Sequence, residues 1–226
     1  MLALGIILGL LPGFAWLFFY LQEDLHPEPK RLIALTFIVG AAAAVVAVLL
    51  EFFTNQNLLR IGIASLSPLG IVLFAFIEEI VKFFSVYLVV HKHPAFNEPV
   101  DAMVYMVVAS LGFATLENLG VVNTSVSQAA FLTDIFQITS LRFIGATLLH
   151  TLTAGIIGYY WAISIREFGA KRFITLGILL ATALHALFNY LILKVGPGNL
   201  IYVTALLLLI GFFVLNDFEK LKRRAI

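Results

Sequence analysis

The chain has 226 residues, of which 62% are hydrophobic and 12% charged, and its mean hydropathy is +1.04. Soluble domains are typically about 45–50% apolar, so a water-soluble globular protein is excluded and an integral membrane protein is indicated. The net charge of +1 argues against nucleic acid as a partner, and the absence of cysteine rules out disulfides and thiolate metal ligands.

A membrane-spanning helix takes about 20 mostly apolar residues. Seven stretches qualify, at 2–21, 32–50, 66–90, 100–122, 139–165, 172–193 and 199–216. They predict an all-α fold, a polytopic transmembrane bundle of about seven spans, as a single integral membrane domain over 1–226. No internal repeat or low-complexity linker interrupts it. The first stretch lacks a basic leading region and a small-residue cleavage site, so it is read as a retained span rather than a signal peptide. In the connection that follows, Pro27 and Pro29 stop one helix and pre-set the next.

The third stretch organises the rest. Residues 71–90 are apolar except for Glu78, Glu79 and Lys82 in the middle, and a charge at the centre of a span costs about 2.5–3.5 kcal/mol on insertion scales. Glu78 and Lys82 lie one helical turn apart, so Lys82 is read as the counter-ion of Glu78. Glu79 points about 100° away and is left unpaired by that contact. Such a cluster marks a functional site.

Further polar residues follow within spans. Glu117 and Asn118 lie in the fourth, Arg142 and His150 in the fifth, and His185 and Asn189 in the sixth, while Asp101 sits at the inner end of the fourth, where water reaches it. Arg142 is close enough to the outer interface to snorkel. The outer segment 123–138 holds an Asn123-Thr124-Ser125 sequon and keeps Phe131, Ile135, Phe136 and Ile138 among polar neighbours, which predicts a short amphipathic helix along the surface.

The positive-inside rule sets the orientation. With seven spans and the tail residues Lys220, Lys222, Arg223 and Arg224 in the cytoplasm, the inner loops hold Lys30, Arg31, Lys92, Arg166, Lys171 and Arg172. Arg60 and Lys194 alone fall outside. The expectation is a multi-pass protein of the cell membrane, with the N-terminus outside and the C-terminus cytoplasmic. Glu78 and His150 then fall near mid-membrane, with Glu117 and His185 in the outer half, in one cavity opening outward.

Histidine nitrogens and carboxylate oxygens are ligands for a divalent metal such as zinc, which in catalytic sites keeps three protein ligands and a water. Glu117, His150 and His185 supply such a set, and Glu78 or Glu79 a general base. Asn189, one turn after His185, is placed to donate to an oxyanion or to orient a ligand. Gly155 and Gly158, one to two turns beyond His150, allow close helix packing. A proton- or ion-coupled transporter or channel would use the same Glu, His and Lys residues as a relay, and an idle scaffold binding single-span partners is a third reading.

The series Glu78-Glu79-x-x-Lys82, Phe113-x-x-x-Glu117-Asn118, His150 and His185-x-x-x-Asn189 resembles the motifs of the PrsW family of intramembrane proteases, relatives of the CAAX prenyl proteases and the bacteriocin-immunity group. Pro12, Trp16, Asp24 and the Pro27-Glu28-Pro29 turn resemble that family's opening, so the likeness covers nearly the whole chain. It implies an intramembrane endopeptidase, a metalloprotease with a divalent metal such as zinc, acting on a single-span membrane protein in the lipid bilayer. The type member clips a membrane-anchored anti-sigma factor on its extracytoplasmic side, in the manner of a site-1 protease. Glu78, Glu79, Lys82, Asn118 and Asn189 would be catalytic or orienting residues, with Glu117, His150 and His185 on the metal. The CAAX group carries Glu-Glu-x-x-x-Arg where this chain has Lys82 one position earlier, and a histidine in place of Glu117. Both departures favour PrsW over prenyl-protein processing. In the CAAX relatives a glutamate and a histidine activate water and a His/Asn pair holds the oxyanion, so the resemblance implies water activated either by metal or by glutamate. Substrate identity and oligomeric state are not written in the sequence.

Overall fold

The computed structural model describes residues 2–22, 26–125, 131–166, 170–195 and 200–222. Asp24, Arg223, Arg224 and the side chains of the Asn123-Thr124-Ser125 sequon and of Phe131 lie outside the described residues. All regular structure among the described residues is helical: α1 (Leu2–Leu21), α2 (Lys30–Arg60), α3 (Pro68–Val90), α4 (Pro99–Ser125), α5 (Phe131–Ile144), α6 (Ala146–Arg166), α7 (Lys171–Val195) and α8 (Leu200–Lys222).

Among the described residues, five helical stretches are long and apolar enough to cross a membrane: Lys30–Arg60, Pro99–Val121, Ile135–Arg166, Lys171–Lys194 and Ile201–Lys222. The protein is a membrane protein. α1 contributes a shorter apolar run, Gly5–Leu21. α3 has 23 residues, a spanning length, with its three charges turned inward.

Three elements depart from the sequence expectation. α2 does not stop at Leu50 but continues to Arg60, giving 31 residues and a length of about 46 Å. The fifth span is two helices, α5 and α6, meeting at Gly145, with the amide of Gly145 still bonded to Leu141 O at 2.9 Å. The surface helix expected over 123–138 is therefore replaced by the end of α4 and by α5. Described side chains of α5 are sorted by face, Ile135 fully buried and Phe136 exposed.

α4 is the hub. Its residues from Ala102 to Ala114, Gly112 aside, are buried to 2% exposure or less, and it packs on α1, α2, α3, α5, α6 and α8. Small residues permit this closeness. A Cβ on Gly40 of α2 would lie 2.0 Å from Ala109 O, one on Gly112 2.0 Å from Phe37 O, and one on Gly158 of α6 2.5 Å from Met103 Cα. Backbones thus touch where α2 and α6 cross α4. Gly155 serves the same purpose against Val214 of α8.

The helix ends are fixed by local chemistry. Ser67 caps α3, accepting from Gly70 N at 3.2 Å, with Pro68 at the first helical position. Asp101, expected at a watery end, is buried instead and accepts from the amides of Asn97 and Glu98 at 2.8 and 2.7 Å. Tyr105 donates to Glu28, which ties the Pro27-Glu28-Pro29 turn to α4, and Trp16 Nε1 donates to Phe143 O at 2.9 Å, which ties α1 to α5.

Candidate active site

α3, α4, α6 and α7 bring Glu78, Glu79, Lys82, Glu117, His150 and His185 into one connected cluster. Neighbours three or four apart on a helix share a face, so Lys82 could reach either glutamate. It donates to Glu79 Oε1 at 2.7 Å, not to Glu78. The expected Glu78–Lys82 pair is thus replaced by Glu79–Lys82, because Glu79 faces α7: His185 Nδ1 lies 2.7 Å from the same Oε1. Glu79 and Lys82 are completely buried, and each provides the other's charge compensation.

The histidines differ in what their rings have left to offer. His185 Nδ1–H donates to the Glu79 carboxylate, which leaves the Nε2 lone pair bare. That nitrogen stands 3.8 Å from Glu78 Oε2, an oxygen buried without a hydrogen-bond partner among the described residues. A carboxylate orienting a histidine so that its far nitrogen is free is how metal-ligating histidines are commonly held. His150 is engaged at both ends. Lys82 Nζ, a donor only, lies 3.0 Å from Nδ1, so Nε2 carries the proton and donates to Glu117 Oε2 at 2.7 Å. The two rings meet edge-on, 5.3 Å between centroids. Phe113 roofs the cluster, its ring centroid 5.1 Å from Lys82 Nζ.

Glu117 is the most accessible acid of these, 30% exposed at the side chain, and Arg142 Nη2 donates to its Oε2 at 3.3 Å. Arg142 does not snorkel outward. Its Nε donates to Asn118 Oδ1, and Asn118 Nδ2 donates to Thr147 Oγ1 at 3.1 Å. Asn118 is therefore a clasp joining α4 to α5 and α6. Asn189 is half-buried one turn beyond His185 and carries no hydrogen bond among the described residues. Ser110 Oγ donates to His150 O at 2.6 Å and fixes α6 against α4.

The sequence reading missed Glu51, which lies in α2 within interaction range of Glu78, Glu117 and Lys82. It follows directly on the apolar run that ends at Leu50 and looked like the first residue outside the span. Only the continuation of α2 past residue 50 brings it to the site.

A family model described as PrsW family intramembrane metalloprotease matches residues 28–215. The chain belongs to this family. Proteins named Protease PrsW are similar to it along most of their length. The one from Geobacillus kaustophilus is 32% identical over 190 residues, covering 82% of this chain and 78% of the relative. Those from Oceanobacillus iheyensis and Bacillus subtilis are 28% identical over 202 residues and 25% over 217 residues. The former match covers 89% of this chain and 88% of the relative, the latter 94% and 93%. No solved structure matches the chain. As a PrsW-family protein it is a membrane-embedded peptidase, which sets aside both the transporter and the idle scaffold.

The family description implies a metal, and the donor set fits one. Glu78, His150 and His185, all buried, each offer a ligand atom, and these atoms lie within 4.8 Å of one another. Two donors of a tetrahedral zinc stand about 3.4 Å apart, so small side-chain adjustments would close the set. The carboxylate in this group is Glu78, where the sequence reading had Glu117.

Proposed function

We propose that this PrsW-family peptidase cuts a single-span membrane protein near the outer face of the cell membrane, using Glu78, His150 and His185 to hold a divalent metal, with zinc as the candidate. The observation that carries this is the buried, unbonded Glu78 Oε2 facing the bare Nε2 of His185. A cation held there would polarise the scissile carbonyl and ease the deprotonation of water.

The chain's own groups divide the remaining work. Glu117, the accessible acid, takes the proton from the attacking water at its outward-facing carboxylate and later returns it to the leaving amine nitrogen. Water's oxygen joins the carbonyl carbon, the C–N bond breaks, and the products are a carboxylic acid and an amine. Arg142 holds the Glu117 carboxylate in place. Asn189 donates its amide to the oxygen that becomes negative as the carbonyl is attacked. Glu79 sets the ring of His185, and Lys82 pairs with Glu79 and holds His150 in place.

The basic residues favour seven crossings, counting α5 and α6 as one, with the N-terminus outside and the C-terminus cytoplasmic. The cluster then lies toward the outer end of the bundle, which suits cleavage of a membrane-anchored regulator such as an anti-sigma factor on its extracytoplasmic side. Reconstitution with single-span substrates tests the chemistry. Glu78→Gln and Glu117→Gln are each expected to lower the cleavage rate by at least about 100-fold; full activity in either variant contradicts the assignment.

A further inference from the structure

Glu51 has no part in the reaction just described, yet the packing aims it at the site. Ala43, Ala44 and Ala47 of α2 form a small core with Phe113 of α4, and Ile77, Val81 and Leu116 pack against it. Glu51 lies one turn beyond Ala47 on that face, and Glu117 one turn beyond Phe113. Glu78 directly follows Ile77. Three helices therefore carry three carboxylates to the same end of one alanine-lined contact. Glu51 is half-buried there, in side-chain contact with Glu78 and in electrostatic reach of Glu117.

This placement changes the charge of the site. Among the described residues, Glu51, Glu78, Glu79 and Glu117 face Lys82 and Arg142, and with neutral histidines and all four carboxyls ionised the cluster carries a formal excess of two negative charges. An uncompensated charge inside a membrane protein is expensive. Ionised together, the Glu51 and Glu78 carboxylates repel each other, and one doubly charged cation would neutralise the excess and make the ionised pair favourable. Glu51 lies outside the three-residue donor group, so it acts through Glu78.

We propose that Glu51 is a positioning residue of the metal centre, which from α2 sets the Glu78 carboxylate and supplies the charge that fits the Glu78–His150–His185 group to a divalent cation. The inference rests on the metal reading above and adds to it a residue on a fifth helix.

The test is zinc affinity of the detergent-purified full chain, measured by competition with a chromophoric chelator at one pH. Wild type is compared with Glu51→Gln, Glu51→Asp and Glu219→Gln, the last a charge loss on α8 remote from the site. Glu51→Gln is expected to weaken zinc binding about 10- to 100-fold, the range for residues that orient metal ligands. Glu51→Asp should recover most of the affinity, and Glu219→Gln should match wild type. The thermal midpoint of the metal-free Glu51→Gln protein, expected at or above that of wild type, shows that the fold is intact. If it is lowered, the Glu51→Asp variant decides by its affinity: recovery toward wild type supports the proposal, and weakening as large as in Glu51→Gln overturns it. Undiminished zinc affinity in Glu51→Gln also overturns it, while a wild type that binds no zinc at all removes the metal reading beneath it.

Discussion

Glu78 and Glu79 are adjacent in the chain and opposite in circumstance. Glu79 Oε1 takes both Lys82 and His185, each at 2.7 Å, whereas Glu78 takes neither; an Oε2 buried without a hydrogen-bond partner among the described residues is common to both glutamates. The difference yields a separable prediction. Glu79→Gln leaves the buried Lys82 ammonium uncompensated and should cost about 3–5 kcal/mol, seen as a lowered thermal unfolding midpoint in detergent. Glu78→Gln removes a carboxylate that stabilises nothing in the metal-free state, so it should leave that midpoint unchanged or raised while abolishing cleavage. Equal destabilisation by both would contradict the division of roles. The sequence placed both glutamates and Lys82 at the site, but it could not say which glutamate the lysine takes, since three- and four-residue spacings both reach. Contact with α7 through His185 decides that, and a single chain carries no record of inter-helix contacts.

At the scale of elements, the bundle depends on helices without side chains where they cross. Gly40→Val or Gly112→Val would force a Cβ to within 2.0 Å of a carbonyl oxygen on the facing helix. Each is expected to cost about 3 kcal/mol or more, read as loss of monodisperse protein or a lower unfolding midpoint. Gly120 is a control on the same helix: a Cβ there meets nothing within 4 Å. Gly120→Ala should stabilise α4 by about 0.5–1 kcal/mol, because alanine suits a helix interior better than glycine. Apolar run length located α1, α3, α4 and α7 to within a few residues. It failed at α2, where the helix continues through polar residues after Leu50 and delivers Glu51, and at Gly145, where one apolar run hides two helices. Run length registers lipid exposure rather than helical hydrogen bonding, and it is blind to both.

For the whole molecule, the charges mark the site but not the centre of packing. α3 carries the conspicuous residues, yet α4 is the element the others surround, and its alanines, glycines and methionines gave no such signal from sequence alone. The lipid-facing surface falls to helices such as α2, with Val45, Val48, Leu49, Phe52 and Phe53 exposed. Membrane orientation is tested cleanly because the chain has no cysteine. Single cysteines at Ile61, between α2 and α3, and at Lys222, at the end of α8, should respond oppositely to an impermeant maleimide applied to intact cells. Ile61→Cys is expected to label at once and Lys222→Cys only after permeabilisation. The reverse pattern would turn the site toward the cytoplasm.

The central claim is that an intramembrane peptidase builds a divalent-metal centre from Glu78, His150 and His185. Metal content of the purified protein, with wild type beside His185→Ala, tests it most directly and needs no known substrate. The account predicts about one zinc per chain in wild type and its loss in the variant. An equal metal content in both, or none in wild type, would contradict it.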